Sequence, residues 1–321
     1  MIFLVWYLIS SGRFDFKALA QFFHSDKIVV ILVALISLVL VHLLLSVRYR
    51  FVVQAIGYLP RLRTIFNIVM VGLFYNNFLP GGTGGDLMRI YYLKKREGIP
   101  IAEGTASTLL DRMLAMLGLV FVAITSVIIV SQVNSTGAVG NMINGQPIIL
   151  GAAMLIPICV IGGLFLLRIQ AVYNFIERIL SKFIFGTQLI SFMKTFQLLA
   201  LNTKVVLASF GLSLIGHSLI ILTTSLIAYA MYGMSAFYAT MATAGLIFLT
   251  NIIPITPGNI GLTEWLADNL FRLFGVEGGA NVFAMWRVVM VLFSLFGGII
   301  YLYSGGKKEM GVVEESATPQ V

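Results

Sequence analysis

Long apolar runs constrain this chain more than any other feature. Each is at least as long as the roughly 20 residues that a helix needs to cross a bilayer. A backbone in lipid must satisfy its own hydrogen bonds, so such runs predict membrane-spanning helices and an all-α, polytopic membrane protein. The runs are residues 28–47, 108–131, 147–167, 205–232 and 280–303.

Composition excludes most soluble functions. Of 321 residues, 59% are hydrophobic and only 11% are charged, and the net charge is +8. The basic residues flank the apolar runs, which indicates membrane topology and not a nucleic-acid partner. The single cysteine, Cys159, and three dispersed histidines offer no disulfide framework or metal-ligand spacing. We therefore expect no metal and no cofactor.

The positions of the basic residues predict the topology. The opening run, Met1 to Ile9, is too short to cross, so we expect about six spans with a short first one. The loop after the 28–47 run is expected to be cytoplasmic because it contains Arg48, Arg50, Arg61 and Arg63, and a second basic cluster follows residue 86. Residues 65–86 lie between these two clusters, so this segment is expected to re-enter the membrane from the cytoplasm and turn back. Residues 237–264 are expected to re-enter from the opposite face. Both termini are then cytoplasmic.

The same patterns divide the chain. Residues 1–306 are expected to form a single integral membrane domain, whose halves are 28–131 and 205–304. Residues 168–196 have an apolar face and a basic face, which is typical of an interfacial cytoplasmic helix, with an ordinary packing helix as the alternative. The tail, 307–321, is short and polar and is expected to be disordered.

A repeated motif links the two re-entrant segments. FYNNFLP at Phe74–Pro80 and FLTNIIP at Phe248–Pro254 share the frame F-x-x-N-x-x-P, and each continues through glycines to an acid. A chance match in so apolar a chain is the alternative. Because the charges place the segments on opposite faces, we interpret them as an inverted repeat. Paired, Gly/Pro-interrupted segments in corresponding halves point to a transporter's binding site.

The chemistry of these segments favours an anionic guest. Broken backbone and the following helix N-terminus offer N–H groups, and arginines inside apolar runs add positive charge. The acids either complement a helix N-terminus or couple protonation to transport, and the asparagines either bind substrate or satisfy broken backbone. The predicted substrate-binding residues are Asn77, Pro80, Gly82, Gly85, Asp86, Arg89, Arg112, Asn251, Pro254, Pro257, Gly258, Gly261, Glu264 and Arg287.

These motifs also resemble a known family. NNFLPGGTGGDLMRIYYLKKREG, followed by STLLDRMLAMLG, is similar to the membrane domain of the lysylphosphatidylglycerol synthase/flippase family, and NIIPITPGNIGLTE is similar to its second signature. The resemblance covers nearly the whole chain and implies an integral-membrane fold and lipid translocation. The soluble aminoacyl-transferase domain of two-part members has no counterpart in these residues, so we expect no catalysis.

Together these features predict a lipid flippase in a prokaryotic cytoplasmic membrane. Its cargo would be an anionic phospholipid, an aminoacyl-phospholipid or a polyprenyl-phosphate-linked lipid. One alternative is a membrane enzyme acting on a lipid phosphate or glycosyl carrier, with Asp86 or Glu264 as its base. Another is a non-transporting scaffold that recruits a lipid-synthesising enzyme. The cargo, direction, coupling ion and oligomeric state stay open.

Overall fold

The chain folds as a bundle of α-helices. The computed structural model describes residues 15–22, 27–78, 84–133, 168–181, 186–252 and 259–303, with isolated positions at 10, 155, 159, 162, 163 and 166. Within these ranges the helices are α1 (Phe16–Gln21), α2 (Ile28–Ala55), α3 (Leu62–Phe78), α4 (Gly84–Glu97), α5 (Ile101–Val133), α6 (Gln170–Leu180), α7 (Gly186–Leu201), α8 (Thr203–Tyr232), α9 (Met234–Phe248), α10 (Leu262–Arg272) and α11 (Gly279–Tyr301).

Four of these helices are long and apolar enough to cross a membrane, namely α2, α5, α8 and α11. They carry exposed large apolar side chains along their outer faces, such as Ile36 and Phe296, as lipid-facing helices do. The prediction of an all-α polytopic membrane protein is therefore confirmed. The opening run 1–9, most of the 147–167 run and the tail 307–321 lie outside the described residues, so the count of six spans is not tested.

Helix α2 is longer than the apolar run that predicts it. It continues from Ile28 to Ala55 and so includes Arg48, which the sequence placed in a cytoplasmic loop. That expectation was wrong because the charge of Arg48 is paired inside the bundle, where only 3% of its side chain is exposed. Val52 and Val53, one turn further on, are fully buried and extend the packed face.

Helices α3 and α4 form an antiparallel hairpin. Gly72 of α3 lies against Gly85 and Arg89 of α4, while Ile65, near the start of α3, packs with the far end of α4 at Tyr92. The helices have 17 and 14 residues. At about 1.5 Å per residue they measure roughly 26 and 21 Å, which is shorter than a hydrocarbon core of about 30 Å.

Helices α9 and α10 form the corresponding pair in the second half. Helix α9 has 15 residues and continues as a 3-10 turn, Leu249–Ile252, and α10 has 11 residues. The rings of Phe248 and Phe271 both contact the ring of Phe283 on α11, which joins this pair to the bundle core.

Helix α8 contacts α2, α5, α7, α9 and α11. Small residues bring the helices together. Gly118 of α5 lies against Ser213 of α8, and Gly245 of α9 lies against Ala123 of α5. Lipid provides no hydrophobic force between helices, so close van der Waals packing of this kind is what holds a membrane bundle together.

The range 168–196, expected as one interfacial helix, contains two helices, α6 and the first part of α7. Helix α6 exposes Phe175 and Ile179 and buries Tyr173, so its apolar surface is only partly covered. Helix α7 packs on α5 and contacts α6.

Candidate functional site

An ion pair between spanning helices is the first element of the candidate site. Arg48 of α2 binds Asp111 of α5 through two hydrogen bonds, Nε to Oδ1 at 2.8 Å and Nη2 to Oδ2 at 3.0 Å. Its Nη1 donates to the hydroxyl of Ser213 on α8 at 2.9 Å. Both charged side chains are buried, so each needs the opposite charge of the other to offset its loss of hydration.

Arg89 of α4 adds a second positive charge to this carboxylate. Its Nη1 lies 3.8 Å from Oδ2 of Asp111, and its guanidinium carbon lies 5.7 Å from the ring centroid of Tyr49. Its Nε is buried and makes no hydrogen bond. Gly72 leaves the space that Arg89 occupies, because a Cβ there would lie 3.0 Å from this Nε. The guanidinium of Arg89 therefore has an N–H group that can still donate a hydrogen bond.

Asp86 and Arg112 form a neighbouring pair. Arg112 Nε lies 2.5 Å from Oδ2 of Asp86, while the other oxygen, Oδ1, is buried without a hydrogen-bond partner. Asp86 is the third residue of α4, where a negative charge complements the helix N-terminus. Together with Arg89, the two ion pairs comprise three arginines and two aspartates, which leave one net positive charge. We call this set, Arg48, Asp86, Arg89, Asp111 and Arg112, the arginine cluster.

An asparagine that the sequence analysis missed holds the start of α4. Oδ1 of Asn76 accepts from the backbone N–H of Gly85 at 2.8 Å. The predicted residue, Asn77, is exposed and donates from its Nδ2 to Leu73 of its own helix at 3.0 Å. Gly85 itself is buried beside Asn76, where a Cβ would come within 2.5 Å of the Asn76 Cγ atom.

The second hairpin has an acid–arginine pair of its own. Glu264, the third residue of α10, binds Arg287 of α11 through Oε1 and Nε at 2.7 Å. Its Oε2 accepts from the backbone N–H of Gly261 at 2.7 Å and so caps α10. Arg287 also donates to the carbonyl of Asn259 at 3.3 Å. In contrast to Asp86, both carboxylate oxygens of Glu264 are occupied.

The structure thus brings together Asp86, Arg89 and Arg112 in one place and Gly261, Glu264 and Arg287 in another. For Asn251 the structure describes the backbone, which lies in the 3-10 turn. The remaining predicted residues lie outside the described ranges: Pro80, Gly82, Pro254, Pro257 and Gly258.

The two hairpins can be aligned along the chain with an offset of 174 positions before the turn and 178 positions after it, because the second segment has four more residues between its asparagine and its acid. We call this alignment the shared register, and in it α4 and α10, and likewise α5 and α11, start at matching positions. Asp86 and Glu264 correspond in this register. The other matching positions are Phe78 with Ile252, Gly84 with Leu262, and Ile101 with Gly279.

A hydrogen bond is repeated in the same register. The Tyr58 hydroxyl donates to Oε2 of Glu103 at 2.6 Å, and the Tyr232 hydroxyl accepts from Nδ2 of Asn281 at 2.8 Å. Each tyrosine precedes its hairpin, and each partner is the third residue of the long helix that follows.

The arginine cluster, however, is not repeated. In the shared register the fully buried Ala267 stands at the position of Arg89, and the buried Val289 stands at the position of Asp111. Leu222 corresponds to Arg48. The helical framework therefore forms without these charges in one half of the molecule and contains them in the other.

Arg48 and Asp111 were missed as site residues, although the sequence held a signal. Asp111 lies in the apolar run TLLDRMLAML beside Arg112, and adjacent residues on a helix do not face each other. A buried carboxylate must have a partner, so a cation from another helix was required. Among the described residues no group of three or more His, Cys, Asp or Glu side chains could hold a metal ion.

Comparisons with known proteins agree with this architecture. Residues 1–298 match the family described as Lysylphosphatidylglycerol synthase TM region. The chain is 34% identical over 107 residues to a UPF0104 membrane protein of Methanocaldococcus jannaschii, a match that covers 30% of this chain and 32% of that protein. A UPF0104 membrane protein of Methanothermobacter thermautotrophicus is 27% identical over 88 residues, covering 27% of this chain and 25% of the relative. The matches thus span a third or less of these curated relatives. No solved structure matches the chain.

Proposed function

This chain belongs to the lysylphosphatidylglycerol synthase transmembrane-region family, and on that premise we propose that it moves a lipid with an anionic headgroup between membrane leaflets, without changing the lipid chemically. The membrane would be a prokaryotic cytoplasmic membrane. The cargo class is an anionic phospholipid, an aminoacyl-phospholipid or a polyprenyl-phosphate-linked lipid, all of which present a phosphate.

The observation that carries the proposal is Arg89. Its buried Nε lacks a hydrogen bond, and it belongs to a cluster with one net positive charge. Burying a charge is costly, and the second half of the molecule folds with Ala267 at the matching position. A cost that the fold does not require is best explained by a ligand that supplies the missing negative charge. A phosphate accepts hydrogen bonds from a guanidinium in two places at once.

Asp86 is the competing anion in this scheme. It occupies Arg112 through one carboxylate oxygen, so an incoming phosphate must share or displace it to reach that arginine. A headgroup held by Arg89 and Arg112 without competition would bind too tightly to leave. Asp86 therefore favours release, and Arg48 with Asp111 holds the cluster in place.

The two hairpins supply the route in this proposal. We infer that they re-enter the membrane from opposite faces as an inverted repeat, with the acyl chains of the cargo remaining in lipid. Their short helices and common register support this reading. Access would alternate as one half moves against the other.

The test is leaflet accessibility of labelled phosphatidylglycerol in proteoliposomes that contain the purified full chain. Arg89→Ala copies the residue of the matching position and is expected to fold. We expect it to slow lipid movement about tenfold or more, because a hydrogen bond to a charged group contributes about 1.5 to 3 kcal/mol. Asp86→Asn should bind the lipid more tightly and release it more slowly.

Two controls accompany this test. Arg61→Gln removes an exposed cation outside the cluster and should leave transport unchanged. Mass spectrometry of the recovered lipids checks that they are chemically intact. If Arg89→Ala transports at the wild-type rate, the arginine cluster is not the headgroup site. If the lipid returns altered, the protein is an enzyme and the transport proposal is abandoned.

A further inference from the structure

A groove runs along the outward face of α4. Its volume is about 520 Å³, and it lies on the side of the helix away from the buried residues Tyr92 and Leu93. Leu87 and Tyr91 form its middle, and both side chains are exposed. The full lining is Leu87, Ile90, Tyr91, Lys94, Lys95 and Ile101.

The groove is apolar along its length and basic at one end. Leu87, Tyr91 and Lys95 are spaced by four residues, so they share one helical face. Lys95 lies over the Tyr91 ring, with Nζ 5.5 Å from the ring centroid and 3.3 Å from its hydroxyl. Lys94 is exposed and has no ion pair within the part of the chain that the structure describes. Two ammonium groups at the end of an apolar trough complement a phosphate attached to acyl chains.

The matching place in the second half has the opposite charge. In the register of the two halves, Ile90 and Lys94 correspond to Asp268 and Arg272. These two residues line a pocket of about 860 Å³ in which three carboxylates outnumber the one arginine. The carboxylates are those of Asp15, Asp268 and Glu277. The basic character of the groove is therefore not a consequence of the repeated fold, and an anion is favoured at one position and disfavoured at its counterpart.

We propose that the groove is a loading site, where the phosphate of an anionic phospholipid binds Lys94 and Lys95 while an acyl chain lies along Leu87. Eight residues, or about 12 Å of helix, separate Lys94 from Asp86 at the arginine cluster. The headgroup would then pass along α4 from the groove to the cluster. This inference rests on the proposed function, because loading presupposes transport.

The experiment measures how many phosphatidylglycerol molecules the detergent-purified full chain retains, and how tightly, by native mass spectrometry. Lys94→Gln with Lys95→Gln removes two exposed charges from the groove. We expect affinity for one phosphatidylglycerol to fall roughly 25-fold, since two basic residues near an anionic lipid contribute that much. Wild-type protein should retain phosphatidylcholine less tightly.

The matched control is Arg61→Gln with Arg63→Gln. It removes the same charge from two exposed residues outside the groove, one just before α3 and one in its first turn, and should change affinity by less than about twofold. Equal losses in both double variants would mean general surface attraction and would overturn the loading site. So would unchanged affinity in the lysine variant, or equal retention of phosphatidylcholine.

Transport measurements separate this inference from the proposed function. Arg89→Ala should keep groove binding and slow transport about tenfold or more, whereas the lysine variant should weaken both binding and transport at low lipid concentration. If the lysine variant loses affinity but transports at the wild-type rate, the loading role falls and the cluster still stands. If wild-type protein binds through the lysines and moves no lipid, transport and loading fall together, and the groove is only a lipid-binding surface.

Discussion

The second helices of the two hairpins, α4 and α10, start at matching positions but differ in chemistry. In the second half, Glu264 caps α10 and binds Arg287, so both of its oxygens are used. In the first half, Asp86 leaves one oxygen without a partner, and Arg89 beside it leaves Nε without one. The Glu264–Arg287 pair, which we call the brace, has its polar atoms satisfied within the protein. Asp86 and Arg89 instead each keep one buried polar atom without a hydrogen bond. The comparison teaches that both hairpins have an acid at the third position of the second helix, whereas Arg89 and Arg48 have apolar counterparts in the second half.

The largest effect is expected at Asp111, which has an apolar counterpart in the second half. Asp111→Asn leaves Arg48 and Arg89 without a buried counter-charge, and breaking a buried ion pair costs about 3 to 5 kcal/mol. Unfolding of the purified protein in detergent measures this loss. Replacing the Arg48 pair by apolar residues, Arg48→Met with Asp111→Leu, should recover about half of it or more. If the double variant is no more stable than Asp111→Asn, charge burial is not the cause.

The next effect compares the two acids directly. Glu264→Ala removes the cap of α10 and the partner of Arg287, and we expect it to lower the free energy of unfolding by about 2 to 4 kcal/mol. Asp86→Ala removes one ion pair from a carboxylate that is already half unpaired, and about 1 to 2 kcal/mol is expected. The same unfolding assay ranks the two variants. The reverse order would contradict the assignment of brace and site.

A smaller effect tests how tightly the first hairpin closes. Gly85→Ala would place a methyl group against Asn76 and the backbone of Gly72, and such overpacking costs about 1 to 3 kcal/mol. The second hairpin has Thr263 at the matching position. Gly211→Ala is the control, since no atom lies within 4 Å of its added methyl group, and it should be neutral or stabilising by up to about 1 kcal/mol. Equal stability of the two variants in thermal unfolding would show that the contact between α3 and α4 at Gly85 can accommodate an added methyl group.

The smallest effect is a pH dependence of stability that comes from the Tyr58–Glu103 hydrogen bond in the first half. The hydrogen bond to the Glu103 carboxylate raises the pKa of Tyr58 from about 10 to about 12. Because the folded state holds the phenol proton more tightly, this contribution is complete below pH 10 and disappears as the pH rises through 12. Tyr58 is partly exposed, so we expect less than about 1 kcal/mol. Stability measured from pH 9 to 12 should decline less steeply in Tyr58→Phe than in wild type, and parallel curves would rule out the contact.

Several parts of this architecture follow from the sequence because they depend on local properties. The apolar runs predicted α2, α5, α8 and α11, since about 20 apolar residues in a row have few options other than a spanning helix. The family was also recognised from its two signatures, and the match over residues 1–298 confirms it. Asp86 and Arg112 were both proposed from their types and positions, and they form one ion pair.

Other parts required the packed structure. Arg48 and Asp111 are 63 positions apart, and nothing in their local sequence pairs them. Arg48 even resembled a loop cation, because a charge after an apolar run ordinarily marks the end of a span. Asn76 and Asn77 are equally plausible from the motif, and only the approach of α4 selects Asn76 as the partner of Gly85.

The sequence by itself thus determined that this is a membrane protein, where its spanning helices lie, which motif recurs and which family it belongs to. Each of these depends on composition or on residues close together in the chain. Only the tertiary structure decided which charges meet. Ion pairs between helices depend on the angle and depth at which the helices cross, and those are set by small contacts such as Gly72 with Arg89 and Gly118 with Ser213. The difference between the brace at Glu264 and the arginine cluster at Asp86 comes from that packing.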